Sequence, residues 1–160
     1  MMRGENLAFD IRPGDFSDPR VIALLEHHYA ENRAVSPPES CHVLDYSAMQ
    51  VPEITFFTLW EAGELLGMGA LKQIDAEEGE VKAMRTLPAA KRRGVGSAVV
   101  QRVIDEARGL GLKRLYLETG SFEYFRPARE LYLRHGFREC PPFAGYKPDP
   151  NSTFMVLDLA

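Results

Sequence analysis

Residues 91–97 combine the residue types needed to bind an anion: three consecutive cations, then two glycines at the start of a predicted helix. The first N–H groups of a helix have no partner within the helix, and the helix dipole adds positive potential there. Because glycine lets a ligand approach the backbone closely, Gly94 and Gly96 favour a phosphate or diphosphate on these amides. The structural alternative is two glycines that merely begin a helix beside solvated cations.

The spacing of this segment differs from two common phosphate-binding motifs. It is not the GxxxxGK[ST] of P-loop enzymes, and it lacks the third glycine of the dinucleotide fingerprint. It resembles the [Gln/Arg]-x-x-Gly-x-[Gly/Ala] signature of the GCN5-related N-acetyltransferase (GNAT) superfamily, which here runs from Lys91 to Gly96 after a predicted strand and a proline at residues 84–88. Lys91 departs from the signature, since lysine keeps the charge but loses the forked geometry of arginine.

A second stretch, residues 128–137, is similar to the family's Ala-x-x-Leu-Tyr-x-x-x-Gly-Phe element and begins at Ala128. An asparagine that often stands seven residues before the tyrosine of this element, here Tyr132, is replaced by Phe125. The resemblance covers residues 80–137 closely. It implies an α/β fold with a mixed central sheet of about six to seven strands flanked by helices, a strand-helix-strand cofactor cradle, and acetyl-CoA as cosubstrate.

The resemblance also implies how acetyl-CoA is bound. Its diphosphate is expected on the main-chain amides from Arg92 to Ser97, and its pantetheine arm is expected to pair with the strand around Met84, whose N–H would polarise the thioester carbonyl. The expected cofactor contacts are Met84, Arg85, Thr86, Lys91, Arg92, Arg93, Gly94, Val95, Gly96, Ser97, Phe125, Ala128 and Tyr132.

Acetyl transfer to an amine requires a base, because an alkylamine with a pKa of about 10.4 is almost entirely protonated at pH 7. Glu80 is the first candidate, since it stands at the same offset before the signature as the catalytic glutamate of the family's histone acetyltransferases; a solvated turn glutamate is the alternative. Glu118, at the end of a later predicted strand, is the second candidate. The resemblance implies that Tyr132 is the general acid for the departing thiolate, whereas helical spacing alone would make it a packing residue.

The remaining polar candidates concern the acceptor. His42 and Tyr146 lie in predicted loops of the kind that wall the acceptor site in the family, and together with Glu118 they are the expected substrate contacts. His27 and His28 lie on the first predicted helix, one facing inward and one outward, and we interpret both as structural.

Composition narrows the function further. A chain of 160 residues that is 45% hydrophobic and 26% charged predicts one globular domain over residues 1–160. Its formal net charge of −4 argues against general nucleic-acid binding. No apolar run approaches the roughly 18 residues that span a bilayer, and the first residues lack a signal-peptide core, so a cytoplasmic chain is expected. Cys41 and Cys140 have no metal-ligand spacing, and no metal is expected.

These residues must be positioned by an alternating set of elements. Gly67 and Gly69 in a predicted strand indicate a bend or a close backbone approach, and the aromatic residues of 56–60 are interpreted as strand core. The pattern predicts strands at 7–12, 54–60, 65–74, 80–87, 112–119, 137–140 and 153–159, with helices from Asp18-Pro19 to about Asn32, from Gly94 to Gly109, and from Arg126 to Gly136, and a long loop with one short helix at 34–52.

The sequence therefore predicts an N-acetyltransferase that moves the acetyl group of acetyl-CoA to a primary amine of a small molecule by direct attack in a ternary complex. No nucleophilic cysteine or serine motif calls for an acyl-enzyme. The alternative is a non-catalytic sensor or regulatory module that binds CoA or acetyl-CoA. Neither a nucleic acid nor a membrane is expected as a partner, and a homodimer is left open because dimers are common in the family.

Overall fold

A computed structural model describes residues 9–40, 47–91 and 93–159 of the chain. Its centre is a seven-stranded sheet with the strand order β1-β2-β3-β4-β5-β7-β6. The strands are β1 (Asp10–Pro13), β2 (Ile54–Glu61), β3 (Glu64–Gln73), β4 (Glu78–Thr86), β5 (Arg114–Gly120), β6 (Arg138–Glu139) and β7 (Ser152–Asp158). The helices are α1 (Pro19–Val35), α2 (Val95–Gly109) and α3 (Arg126–Arg134), with short 3-10 turns at Pro38–Ser40, Pro88–Ala90 and Glu123–Phe125. The predicted mixed α/β architecture is confirmed.

Local sequence signals account for several element boundaries. The Asp18 carboxylate accepts the N–H of Arg20 at 2.9 Å and caps α1, with Pro19 in the first turn. The helix continues three residues past the predicted end at Asn32. Ala62 and Gly63 both have positive φ and form the tight turn between β2 and β3.

The sheet has a different partner on each face. On one face, α1 buries Val21, Leu24 and Leu25 with residues that include Phe56 and Trp60. On the other face, α2 and α3 form a second core. Its members include Phe57, Leu71, Val81, Val100, Val103, Leu117 and Tyr132. The interpretation of the aromatic residues of 56–60 as strand core is confirmed.

Two glycines of β3 let β4 and α2 approach closely. A Cβ at Gly69 would lie 2.5 Å from Val99 Cγ1 and 2.6 Å from Met84 Sδ, and one at Gly67 would lie 2.7 Å from a Val95 methyl group. Opposite Gly69, β4 carries a bulge, because the register shifts between Met68 and Ala70. The close approach expected from these glycines is confirmed, and it occurs where β4 is irregular.

The bulge decides which side chains of β4 face which helix. Ala83 has φ +56° and is the extra residue of the bulge. Beyond it, the alternation of side chains between the two faces of the sheet is shifted by one residue. Val81 and Met84 pack with α2 on one face. Lys82 contacts the loop before β7, and Arg85 contacts α1, on the opposite face.

Strands β4 and β5 separate shortly after they meet. Within the described chain they pair in parallel at three positions, Glu78–Arg114, Gly79–Leu115 and Glu80–Tyr116. Beyond these positions β5 remains paired with β7 as far as Gly120, whereas β4 remains paired with β3. The sheet is therefore split along one line, and the split opens a cleft.

Two absences apply to the described ranges. None of the helices found there is long and apolar enough to cross a bilayer. No three His, Cys, Asp or Glu side chains in those ranges are grouped so that they could hold a metal ion.

Candidate active site

The cleft between β4 and β5 has a volume of about 760 Å³ and opens to both faces of the sheet. The α1 face contributes residues such as His28, Asn32 and Ser40, and the opposite face contributes residues of α2 and α3. Of the expected cofactor contacts, the cleft is lined by Met84, Arg85, Thr86, Lys91, Gly94, Val95, Gly96, Ser97, Phe125, Ala128 and Tyr132. One opening therefore holds most of the residues that the two sequence motifs singled out.

The N-terminus of α2 forms one end of this cleft. Gly94 precedes the helix with φ +82°, a left-handed conformation that favours glycine, and space around it is open. The first backbone bond of this end joins Ala98 N to Gly94 O, so the preceding amides have no partner within the helix. A Cβ at Gly96 would lie 3.2 Å from Leu131 Cδ2 and 3.4 Å from Thr86 Oγ1, which would narrow the cradle. This end of the cleft fits a diphosphate.

The cationic side chains of the motif do not all lie in the cleft. Lys91 lines the cleft. Arg93, expected among the cofactor contacts, does not line it, because its guanidinium pairs with Glu61 at the end of β2. Arg92 lies outside the described residues.

Tyr132, on α3, lines the cleft. Its side chain is buried and makes an edge-on contact with Phe137 at 5.7 Å between ring centroids. Burial, followed by the charge of Glu118, raises the pKa of Tyr132 well above its ordinary value. Its hydroxyl therefore stays protonated at neutral pH and can donate a proton.

Glu118, near the end of β5, lines the same cleft. Burial raises its pKa from 4.5 to about 7, and the nearby Glu80 and Asp149 charges act in the same direction. Lys82 and the Ser152 hydroxyl act in the opposite direction, although the buried Ser152 hydroxyl does not reach hydrogen-bond geometry with any described group. A carboxyl that titrates near pH 7 in a cleft is suited to proton transfer.

Glu80 is placed differently from the sequence expectation. It is the third residue of β4, with 3% of its surface exposed, and it does not line the cleft that holds Tyr132. Its Oε2 accepts the Tyr146 hydroxyl at 2.6 Å and lies 3.4 Å from Lys82 Nζ. The bonded pair borders a second cavity of about 730 Å³. Burial and the Glu80 charge raise the pKa of Tyr146, so both expected site residues belong to one hydrogen-bonded cluster beside the cleft.

The α1 face of the cleft contains residues that the sequence reasoning missed. His28, interpreted as structural, lines the cleft, and its Nδ1 accepts Arg85 Nε at 3.0 Å. Tyr124 also lines the cleft and accepts Arg85 Nη1 at 3.3 Å. The sequence signal that could have indicated His28 was its position on the apolar stripe of α1. No local sequence feature indicated Tyr124 as a site residue. His42 lies outside the described residues.

Comparison with known proteins identifies the family. A model of the acetyltransferase (GNAT) family matches residues 20–137. The chain is 46% identical over 149 residues to the uncharacterized N-acetyltransferase YsnE of Bacillus subtilis, covering 93% of this chain and 99% of that protein. It is 44% identical over 151 residues to the uncharacterized N-acetyltransferase YedL of Escherichia coli, covering 94% and 95%.

A solved structure supports the fold. The GNAT family acetyltransferase of Elizabethkingia anophelis, solved with acetyl-CoA bound, superposes with a TM-score of 0.70 at 18% identity, covering 95% of this chain and 99% of that one. The class of protein is thus a GNAT-fold acetyltransferase. The chain belongs to the acetyltransferase (GNAT) family.

Proposed function

We propose that this protein transfers the acetyl group of acetyl-CoA directly to a primary amine of a small molecule within a ternary complex. The observation that carries the proposal is one continuous cleft that contains a diphosphate cradle, a buried tyrosine and a carboxyl group with a pKa of about 7. The cradle lies on the α2 face and His28 lies on the α1 face, so cofactor and acceptor can enter from opposite sides. The compartment we propose is the cytoplasm.

The α2 end of the cleft binds the cofactor in this proposal. The amides that begin α2 hold the diphosphate, with Lys91 and Arg92 adding positive charge. The Met84 N–H, at the bulge of β4, is directed to the thioester oxygen and stabilises negative charge there. Acetyl-CoA supplies the activated acetyl group, and the chain supplies the groups that move protons.

We assign the general base to Glu118 rather than Glu80. Glu118 lines the cleft and has a pKa of about 7, which is suited to accepting a proton from the ammonium form of the acceptor. The Glu80 carboxylate is already bonded to Tyr146 and does not line that cleft. Glu80 then acts with Tyr146 and Lys82 to shape the wall beside the base.

We assign the general acid to Tyr132. As the nitrogen–carbon bond forms and the carbon–sulfur bond breaks, the Tyr132 hydroxyl gives its proton to the departing thiolate. Its raised pKa keeps the hydroxyl protonated until sulfur develops negative charge. Glu118 takes the first proton of the ammonium group, and the second, lost from nitrogen as the amide forms, returns to the Tyr132 oxygen; the Glu118 charge favours the protonated form of Tyr132.

The pH dependence of acceptor-dependent thiol release tests the assignment. In the parent protein, kcat/KM is expected to rise with pH through a midpoint of about 7 as Glu118 loses its proton, well below the amine's own titration near 10. Glu118→Gln is expected to lower kcat/KM about 100-fold or more and to remove this midpoint. Glu80→Gln is the matched comparison and should retain the midpoint; its loss in that variant would move the base to Glu80.

A stability measurement checks that Glu118→Gln folds. Because the folded-state pKa is raised, the folded protein holds more protons than the unfolded chain between about pH 4.5 and 7, and stability falls as pH rises through this window. Glutamine does not titrate. Between pH 4 and pH 8 the unfolding free energy of the parent should therefore fall relative to that of the variant, by at most about 3 kcal/mol.

A non-catalytic sensor is not favoured, because both full-length relatives are named N-acetyltransferases. Acetyl-CoA binding without thiol release from any amine would reinstate it.

A further inference from the structure

Arg85 places a positive charge on the acceptor side of the cleft. The bulge at Ala83 directs its side chain to the α1 face, opposite the face on which α2 begins. There its Nε donates to His28 Nδ1 at 3.0 Å, and its Nη1 donates to the Tyr124 hydroxyl at 3.3 Å. The cradle for the cofactor's diphosphate lies on the other face, so this guanidinium is not needed there.

Neither partner neutralises this charge. Burial, with the Arg85 and Lys82 charges, lowers the pKa of His28 to about 3, so the imidazole is neutral over the working range. The Tyr124 hydroxyl donates its own hydrogen bond to Glu31 Oε1 at 2.9 Å. Among the described residues no carboxylate forms an ion pair with Arg85. A guanidinium cannot shed its proton, so a partly enclosed cation remains with donor groups to spare.

We propose that Arg85 binds an acidic group of the acceptor, and that the acceptor is therefore an amino acid or a similarly short amino-carboxylate. The inference rests on the proposed function, since it gives the substrate class of the same site. A guanidinium and a carboxylate match as planar groups with two parallel hydrogen bonds, whereas a simple alkylamine has nothing for Arg85 to bind.

The strand register gives the spacing along β4 between Arg85, the proposed anchor, and Lys82, whose charge acts on the base Glu118. Lys82 pairs with Ala70 and Arg85 with Met68, so Arg85 lies two ladder steps, about 7 Å, beyond Lys82. Glu118 lies two residues beyond Tyr116, the last position at which β5 pairs with β4, and the Lys82 charge acts on its carboxyl. Arg85 and Glu118 line the same cleft, so a short acceptor with its amine and carboxylate on one carbon suits the two groups. The anchor would direct the amine to Glu118.

Matched acceptor pairs test the proposal. Phenylalanine is compared with 2-phenylethylamine, leucine with 3-methylbutylamine, and lysine with 1,5-diaminopentane, which differ within each pair by one carboxylate. The parent protein should prefer the acid in at least one pair. Arg85→Gln should lower kcat/KM for that acid about 100-fold and change its amine partner little, and Arg85→Lys should recover part of the loss.

The matched control is Arg138→Gln, which removes an exposed guanidinium that pairs with Asp158 on the sheet edge. It should leave the preference unchanged. O-phosphoethanolamine forms a separate arm, because a phosphate would also suit Arg85; preference for it over every amino acid would overturn the carboxylate assignment. Equal rates for acids and amines in both parent and Arg85→Gln would also overturn it and leave the proposed function intact.

A binding measurement keeps the two proposals separable. The same acids are titrated by calorimetry into protein saturated with CoA, which permits no turnover. Acid binding that depends on Arg85 supports the inference even if no acceptor releases thiol, a result that would contradict only the proposed function. Acids that bind the parent and Arg85→Gln equally would overturn the inference whatever the kinetics show.

Discussion

At the scale of single residues, two glutamates on one face of the sheet differ because of their surroundings. Glu80 and Glu118 lie on strands that pair at the first of these residues and then part. Glu80 is held by Tyr146 and Lys82, whereas burial without a comparable partner raises the pKa of Glu118 to about 7. The two identical side chains therefore have different surroundings, a hydrogen-bonded cluster around Glu80 and a buried position in the cleft for Glu118.

Tyr132→Phe tests the acid at the same scale. Phenylalanine keeps the edge-on contact with Phe137 and removes the hydroxyl. We expect kcat to fall about 100-fold or more, because the thiolate then leaves without a proton donor, while acetyl-CoA affinity stays nearly constant. Steady-state kinetics and calorimetry measure the two quantities. An unchanged kcat would remove Tyr132 from the chemistry.

At the scale of elements, the site depends on two irregularities, one within a strand and one at the start of a helix. The bulge at Ala83 directs Arg85 to the α1 face, and Gly94 turns the chain so that α2 begins with its amides in the cleft. Both positions have positive φ, a conformation that costs non-glycine residues about 1–2 kcal/mol. The cost therefore falls on Ala83, whereas glycine adopts this conformation freely at position 94.

Gly94→Ala tests the turn, with Gly109→Ala as its matched control. A Cβ has open space at both positions, but Gly94 has φ +82° whereas Gly109 is the last residue of α2 and has no positive φ. Gly94→Ala should cost about 1 kcal/mol of unfolding free energy and weaken acetyl-CoA binding. Gly109→Ala should be neutral or stabilising by up to about 1 kcal/mol and leave binding unchanged. Equal effects from the two substitutions would contradict this explanation.

At the scale of the whole molecule, the cleft divides the sheet into two parts joined across β4 and β5 at three residue positions. One part carries β4 and the start of α2, and the other carries Glu118 and Tyr132. A ligand between the strands contacts both parts and bridges them where the diverging backbones do not pair with each other. Cofactor binding should therefore stabilise the whole fold.

Thermal unfolding with acetyl-CoA tests this coupling. A cofactor at 100 times its Kd should add about 2.7 kcal/mol to the unfolding free energy and raise Tm by about 5–10 °C. Amide exchange should slow in both β4 and β5. Acetyl-pantetheine, which lacks the diphosphate, is the control and should bind more weakly. Protection confined to one side of the cleft would contradict the bridging role.

Short-range signals in the sequence determined much of this protein. The Asp18 cap, the Ala62-Gly63 turn and the glycines that open α2 each act within a few residues, so their geometry could be predicted from neighbours alone. The tertiary structure alone decided the rest. Tyr146 reaches Glu80 from 66 positions away, and Arg85 reaches His28 from 57. The proton affinity of Glu118 depends on burial by strands and loops distant in the chain, because the energy of a charge is set by what surrounds it in space.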